Sequence, residues 1–286
     1  MDYSFRVAFP DFKSSAFTMS YDDGTVQDVR VMDLCRQYGL KCTFALNSCN
    51  LTGEFRHWEH LGQTVYLETC PAERIGHRYR GFEVAGHTYS HPDLRQVPSQ
   101  DFGLQVQSCQ KTLSDLTGYE VRGMTYPNNG YDDRVCENLK KCGVVYSRTT
   151  DATYSFDVPK DFLRWHPTAH DHDACVMDLI DTCIAQNDGK LKIFYLWGHA
   201  YEFDKTDAHC TEGGERWLDF ESILQKVSRS RAFWPATNIE VYDYIMATRR
   251  LQTEKDRLTN PSDLPLYGLW NGQPVILPAK TSFVFQ

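Results

Sequence analysis

The chain has 286 residues, 41% of them hydrophobic and 24% charged, with a formal net charge of −8. That length holds one large α/β domain or two small ones, and the negative balance excludes a general nucleic-acid binder, which needs a basic face. No stretch approaches the roughly 20 apolar residues of a membrane span. The first seven residues show no basic segment followed by an apolar one, so the expectation is a cytoplasmic protein with no membrane partner. The ten cysteines are scattered and form no CxxC pair, which in a large chain without an export signal favours reduced thiols.

In chain order, residues 16–21 (Ala-Phe-Thr-Met-Ser-Tyr) read as a buried strand. Residues 25–38 carry Val26, Val29, Val31, Leu34 and Cys35 at helical spacing and end at Gly39. Residues 40–46 read as a second strand, 48–70 as an irregular excursion or hairpin, 72–79 as a short helix and 82–87 as a strand. A long helix is expected over 99–116, capped by Ser99 and stopped by Gly118. Strand 123–126, helix 132–142, strands 144–148 and 162–167, helix 174–186 and strand 192–197 follow. Helix 215–228 and a short strand over 231–235 come next. Cys35, Cys109, Cys136 and Cys183 fall in these helices and read as small core residues. The polar stretch 249–263 leads to a tail with short strands expected at 275–277 and 282–285. Residues 1–250 are read as the catalytic unit and 251–286 as an extension packed on it, too short to bury a core alone. Strands alternating with helices imply a parallel sheet, either an open doubly wound one or one closed into a barrel.

Two segments concentrate chemistry. The first strand ends in Asp22-Asp23-Gly24, and the strand over 82–87 ends in Gly86-His87-Thr88-Tyr89-Ser90-His91. Adjacent side chains at a strand end point in different directions, so one carboxylate can hold a metal while the other faces a substrate. His87 and His91, at i and i+4, are expected to share one face of a helical turn. Two imidazoles and one carboxylate leave coordination positions open, as a catalytic rather than a structural site requires. The bland alternatives are an aspartate helix cap and ordinary loop histidines.

Tyr21-Asp22-Asp23-Gly24 followed by His87-Thr88-Tyr89-Ser90-His91 resembles the polysaccharide deacetylase family, the NodB-like carbohydrate esterases. The apolar run over 193–198 that ends in His199 matches a later family motif. The resemblance spans roughly residues 15–245. It implies a distorted (β/α)7 TIM-like barrel, here with a short C-terminal β extension. It implies hydrolysis of an N-acetyl group from a sugar or oligosaccharide by metal-activated water. Asp23, His87 and His91 would hold one divalent ion, zinc first, with cobalt, nickel or iron also suited to such ligands. Asp22 would be the general base and His199 the general acid.

The family's Arg-x-Pro-Tyr motif survives only as Thr125-Tyr126-Pro127-Asn128. Pro127 and the Asn128 amide would still serve the oxyanion. The missing arginine needs a substitute, either Arg164, Arg148 or Arg122, or a hydroxyl from Tyr126. Residues 161–173 take the place of a fourth motif, in which an aspartate polarises the acid histidine and a tryptophan lines the pocket. Asp171 and Trp165 are the candidates, with Asp161 a rival. Trp197 stands where the family usually has leucine, and would narrow the pocket or stack on a sugar face. His170-Asp171-His172 could suggest a second metal, but a tripeptide cannot easily aim three side chains at one ion. The expected partner is an acetylated saccharide or a small N-acyl compound. The rival readings are an amidase on another C–N bond, a non-haem iron oxygenase, which the βα alternation disfavours, and a carbohydrate-binding protein that has lost catalysis.

Overall fold

A computed structural model of the chain describes residues 5–60, 63–204, 215–254 and 257–284. The elements are β1 (Phe5–Ala8), β2 (Ser15–Asp22), α1 (Asp28–Tyr38), β3 (Thr43–Leu46), β4 (Phe55–His60), β5 (Gln63–Glu68), α2 (Ile75–Arg78), β6 (Glu83–Gly86), α3 (Ser108–Thr117), β7 (Gly123–Thr125), α4 (Asp133–Lys141), β8 (Tyr146–Arg148), β9 (Ala169–His170), α5 (Val176–Ala185), β10 (Lys192–Gly198), α6 (Glu215–Ser230), β11 (Phe233–Pro235) and α7 (Asn238–Arg249). A tail adds β12 (Gln252–Thr253), β13 (Arg257–Asn260), β14 (Leu266–Trp270), β15 (Gln273–Leu277) and β16 (Thr281–Val284).

The main sheet runs β8-β7-β6-β3-β2-β10-β9, all parallel, with β11 added beside the start of β2. Its two edges are joined by residues 165–171. Trp165 exchanges backbone hydrogen bonds with Ser147 and Thr149 of the β8 side, while Thr168 and Asp171 donate to Tyr195 and Trp197 of β10. The curled sheet is thereby shut into the distorted barrel, with helices outside.

The two-residue period of the strands sorts the side chains. On β2, Phe17, Met19 and Tyr21 enter the apolar layer under the helices. Thr18 and Ser20 face the interior, where Thr18 bonds Asn238 and Ser20 lies 3.0 Å from the Tyr195 hydroxyl. The same alternation carries Asp22 to the inner face at the strand's C-terminal mouth. On β10, Phe194 and Leu196 face the helices, so Tyr195, Trp197 and the following His199 point inward.

The interior below the mouth is polar and hydrogen-bonded. Glu83 accepts from Tyr146 (2.6 Å), Thr43 (2.8 Å) and the Ile239 amide at the start of α7 (2.9 Å). Helix α7 was not expected, although Thr237 and Glu240 form a reciprocal capping box at its start.

The tail packs on the barrel's lower end. Strand β1 pairs with β14, Leu258, Leu266 and Leu277 bury with Phe9 and Tyr244, and the Tyr244 hydroxyl donates to the Ala8 carbonyl. The excursion after β3 is the antiparallel hairpin β4–β5. The nine cysteines among the described residues are free, and those four expected in the core are buried; Cys210 lies outside the described residues. No helix among the described residues is long and apolar enough to cross a membrane.

Two elements differ from expectation. The helix over 99–116 is broken into a 3-10 turn, a π-turn over Gly103–Gln107 and α3; Ser99 lies inside the first turn and accepts from Asn138 instead of capping. The strand expected over 162–167 is a turn, Phe162–Arg164, followed by the bridging segment. Its apolar residues suit burial, but Asp161 accepts from the Leu163 amide and turns the chain.

Candidate active site

The C-terminal mouth of the barrel opens into a cavity of about 700 Å³ lined by Asp22, Asp23, His87, His91, Asn128, Trp197, His199 and Tyr201, among others. Several of these residues sit on unusual backbone. Asp23, Thr88, His91 and Asn128 have φ of 77°, 64°, 61° and 53°, a region that non-glycine residues rarely occupy outside functional sites. Gly24, at φ 66°, lies so close to Leu46 that a Cβ would approach its Cδ2 to 2.6 Å, so a side chain there would have to displace Leu46 on a left-handed backbone. The expected helical turn over 87–91 is absent. The segment is a loop in which the Thr88 hydroxyl accepts from the His91 amide (3.0 Å), and the left-handed residues fold His91 back until the two rings stand 4.8 Å apart.

Asp23 Oδ1 lies 3.8 Å from Nε2 of both His87 and His91. Two donors at ~2.1 Å from one ion cannot be more than ~4.2 Å apart, so each pair fits a common cation. His87 Nδ1 faces Thr125, 2.7 Å from its hydroxyl and 3.0 Å from its carbonyl. A proton on Nδ1 is thus held there, and Nε2 is left as a donor atom. Burial, reinforced by His91 and Arg148, pushes the His87 imidazole down to about 4 against the pull of Asp22 and Asp23, which keeps it in the neutral, metal-binding form. The donor set suits a divalent transition metal.

Asp22 is buried at the same mouth. Its Oδ1 accepts from Thr125 (3.0 Å), and its Oδ2 is paired with the fully buried guanidinium of Arg148. Thr125 and Arg148 are register partners on β7 and β8. The position where the family motif has arginine therefore holds Thr125, and the guanidinium comes from one strand over. Of the three arginines considered, Arg122 pairs with Asp243 and Arg164 with Asp133 and Asp161. Burial would raise the Asp22 carboxyl, but Arg148, His87 and His199 hold it below its ordinary value.

Other candidates land elsewhere. The Tyr126 hydroxyl donates to the Leu163 carbonyl (2.8 Å), away from Asp22. Pro127 and Asn128 form the turn beside the cavity. Trp165 is packed in the barrel core against Tyr195, Tyr146 and Phe162; the bridging segment that carries it faces inward, so it does not line the pocket as expected. Trp197 does line it, with the Arg148 guanidinium 4.3 Å from its ring centroid. Asp161 caps a turn on the outside. Asp171 accepts from Tyr21 (2.8 Å) and lies 3.1 Å from His170 Nδ1.

The carboxylate beside His199 is instead Glu202, whose Oε2 is 3.4 Å from Nδ1. Glu202 was missed in the sequence. Its signal was the i, i+3 spacing from His199 in a short turn. Burial opposes the charged imidazolium of His199, but Glu202, with Asp23 and Asp22, outweighs it and holds the group above its ordinary value. The tripeptide 170–172 does converge, contrary to expectation. His170, Asp171, His172 and Glu202 bring ligand-type atoms within 4.8 Å of one another, because β9 ends at His170 and the chain turns at once.

Residues 10–147, just under half of the chain, match the model of the polysaccharide deacetylase family. The match includes Asp22, Asp23, His87, His91 and the 125–128 segment; Arg148 and His199 lie beyond it. A peptidoglycan-N-acetylglucosamine deacetylase of Bacillus cereus is 24% identical over 127 residues, 44% of this chain and 40% of that protein. The peptidoglycan-N-acetylglucosamine deacetylase PgdA of Listeria monocytogenes is 25% identical over 123 residues, 42% of this chain and 23% of that one. The aligned part thus spans less than half the length of these curated relatives. Among solved structures, a family 4 acetyl xylan esterase from Clostridium thermocellum, in complex with a cobalt ion, superposes with a TM-score of 0.48 at 13% identity, over 79% of this chain and 90% of that one.

Proposed function

We propose that the chain is a metal-dependent hydrolase that removes an N-acetyl group from an acetylated saccharide. The observation that carries the reading is one cavity wall holding Asp23, His87 and His91 around a cation-sized gap, with Asp22 braced by Arg148 and Thr125 beside it and His199 on the same cavity. The match of residues 10–147 to the family model, and the sugar N-acetyl groups in the names of the relatives, support the saccharide class. A divalent ion held by Asp23, His87 and His91 would lower the pKa of bound water and polarise the acetyl carbonyl.

Asp22 takes the proton from the attacking water. Held ionised by Arg148, it is ready as a base near neutral pH. The Asn128 amide, on its strained turn, donates to the oxygen that gains charge. His199 gives its proton to the departing amine nitrogen. Trp197 and Tyr201 offer aromatic faces for the sugar. Arg148, paired with Asp22, supports this reading over that of an impaired site, because it supplies the guanidinium that the motif position lacks.

The test is acetate release from chitooligosaccharides, N-acetylglucosamine and simple amides by chelated protein with zinc, cobalt, nickel or iron added back. The expected result is metal-dependent release from a saccharide. Turnover of simple amides alone would replace the saccharide by another C–N substrate, and no turnover with any metal would overturn the reading. His199→Ala should lose far more on an acetamide than on an activated acetate ester, whose leaving group needs little protonation.

A further inference from the structure

We propose that His170 is a positioning residue: from the segment that closes the barrel it holds Glu202 against Nδ1 of His199, and so aims the opposite nitrogen of His199 into the cavity. The inference rests on the general-acid reading of His199.

Glu202 stands at the centre of the arrangement. Its amide donates to the His199 carbonyl (2.9 Å), and its Oε2 lies 3.4 Å from His199 Nδ1 and 3.3 Å from His170 Nε2. One oxygen thus stands at ion-pair distance from two imidazoles. His170 Nδ1 has two neighbours, Asp171 Oδ1 at 3.1 Å and the His172 amide at 3.2 Å. Nδ1 accepts from the His172 amide, which leaves the ring proton on Nε2, towards Glu202.

His170 is itself held. Its ring stands edge-on to Trp197 at 4.6 Å, and Asp171 is anchored by the Tyr21 hydroxyl and by the hydrogen bond its backbone amide donates to the Trp197 carbonyl. The Asp171 carboxylate can approach because residue 198 is glycine; a Cβ there would meet it at 2.4 Å. The line Tyr21–Asp171–His170–Glu202–His199 therefore runs from β2 through the closing segment to the cavity.

Burial opposes the His170 cation, yet Asp171 and Glu202 outweigh it and raise the group to about 10. His170 and His199 in turn keep Glu202 ionised against the effect of burial. With the Glu202 carboxylate at ion-pair distance from Nδ1 of His199, Nδ1 is the nitrogen that keeps its proton, and the Nε2 proton is the one offered to the leaving group. The charged groups that act on His199 are Glu202, Asp23 and Asp22; His172 and Arg216 flank the far side of Glu202.

The test uses the full chain and four variants: His199→Ala, Glu202→Gln, His170→Ala and His170→Gln. Histidine-selective ¹⁵N NMR reads the His199 tautomer without any substrate. The unaltered chain should show neutral His199 protonated on Nδ1; Glu202→Gln and His170→Ala should shift it to a mixture, and His170→Gln, which keeps a donor near Glu202, should restore it. With a chitooligosaccharide as the amide probe and 4-nitrophenyl acetate as the ester probe, His170→Ala should lower kcat about tenfold and Glu202→Gln about a hundredfold on the amide. KM should change little, and the losses on the ester should be much smaller. Glu202→Gln should also move the alkaline limb of the kcat profile to lower pH, because His199 loses its anionic partner. An unchanged His199 tautomer in His170→Ala overturns the proposal, as does equal loss on both probes or a metal ion that leaves with the His170 side chain. If His199→Ala itself costs both probes equally, it is the acid reading that fails, whatever the tautomer shows.

Discussion

Two clusters at the barrel mouth have nearly the same composition and different geometry. Asp23, His87 and His91 form one; His170, Asp171, His172 and Glu202 form the other, and in each the ligand-type atoms lie within 4.8 Å of one another. In the first, His87 Nδ1 is occupied by Thr125, and one nitrogen from each ring converges on a single carboxylate oxygen. In the second, each ring turns one nitrogen to Asp171 and the other to Glu202. In both clusters one nitrogen of each ring meets a single carboxylate oxygen; the difference is the remaining nitrogen, which in His87 faces neutral Thr125 and in His170 and His172 faces a second carboxylate. Residue counts alone do not separate a coordination site from a ring of imidazole–carboxylate pairs; the partner of the second ring nitrogen does.

The largest effect should come from breaking the first cluster. His87→Ala/His91→Ala should lose the bound ion and all measurable turnover, while His170→Ala/His172→Ala keeps one ion per chain by elemental analysis. Two ions in the unaltered protein would erase the contrast. Next, Asp22→Asn should cut kcat by ~10²–10⁴ with the ion retained, because Asn keeps the shape and loses the base; near-normal turnover would exchange the roles of Asp22 and Asp23.

Arg148→Met sharpens the point that Asp22 depends on a buried cation. It leaves the carboxylate uncompensated, at a cost of about 3–5 kcal/mol by denaturant melts. The Asp22 carboxyl rises towards its ordinary value or above, so the acid limb of the kcat/KM profile should move to higher pH. Glu83 is the contrasting carboxylate, buried among the neutral donors Tyr146, Thr43 and the Ile239 amide. Burial pushes it up to about 7 from 4.5. Between those values the folded chain binds more protons than the unfolded one, so stability should fall as pH rises through this window, by up to ~3 kcal/mol. Glu83→Gln should remove that slope; an unchanged slope would mean that Glu83 is ionised throughout.

What was legible in the sequence was local. Asp22, Asp23 and the i, i+4 histidines are neighbours in the chain, and the alternating strands place His199 at an inner strand end. What was not legible depends on register or on a reversal of direction. Arg148 is one of three arginines that sequence could not tell apart, and only the pairing of β7 with β8 sets it beside Asp22. The apolar residues of 162–167 suggested a strand with a pocket tryptophan, but the alternation there serves the barrel core, which takes Trp165. Helix α7 escaped because its buried residues, Asn238, Val241, Tyr244, Ile245 and Ala247, include a polar one and a small one, which blurs the apolar stripe; the Thr237–Glu240 cap was the better signal.

The closing segment has a mechanical consequence. The ring of strands is shut by a short span of backbone, through amides of Trp165, Thr168 and Asp171 and the strands they face. A barrel that breathes will open along this seam before it opens between β2 and β10, which pair over seven residues. The seam carries His170 and Asp171, whereas Asp23 follows β2 and His87 and His91 follow β6. Thermal opening of the seam would thus slacken the segment that carries His170 and Asp171. Hydrogen exchange at those three amides, followed against temperature, is the gauge of that order.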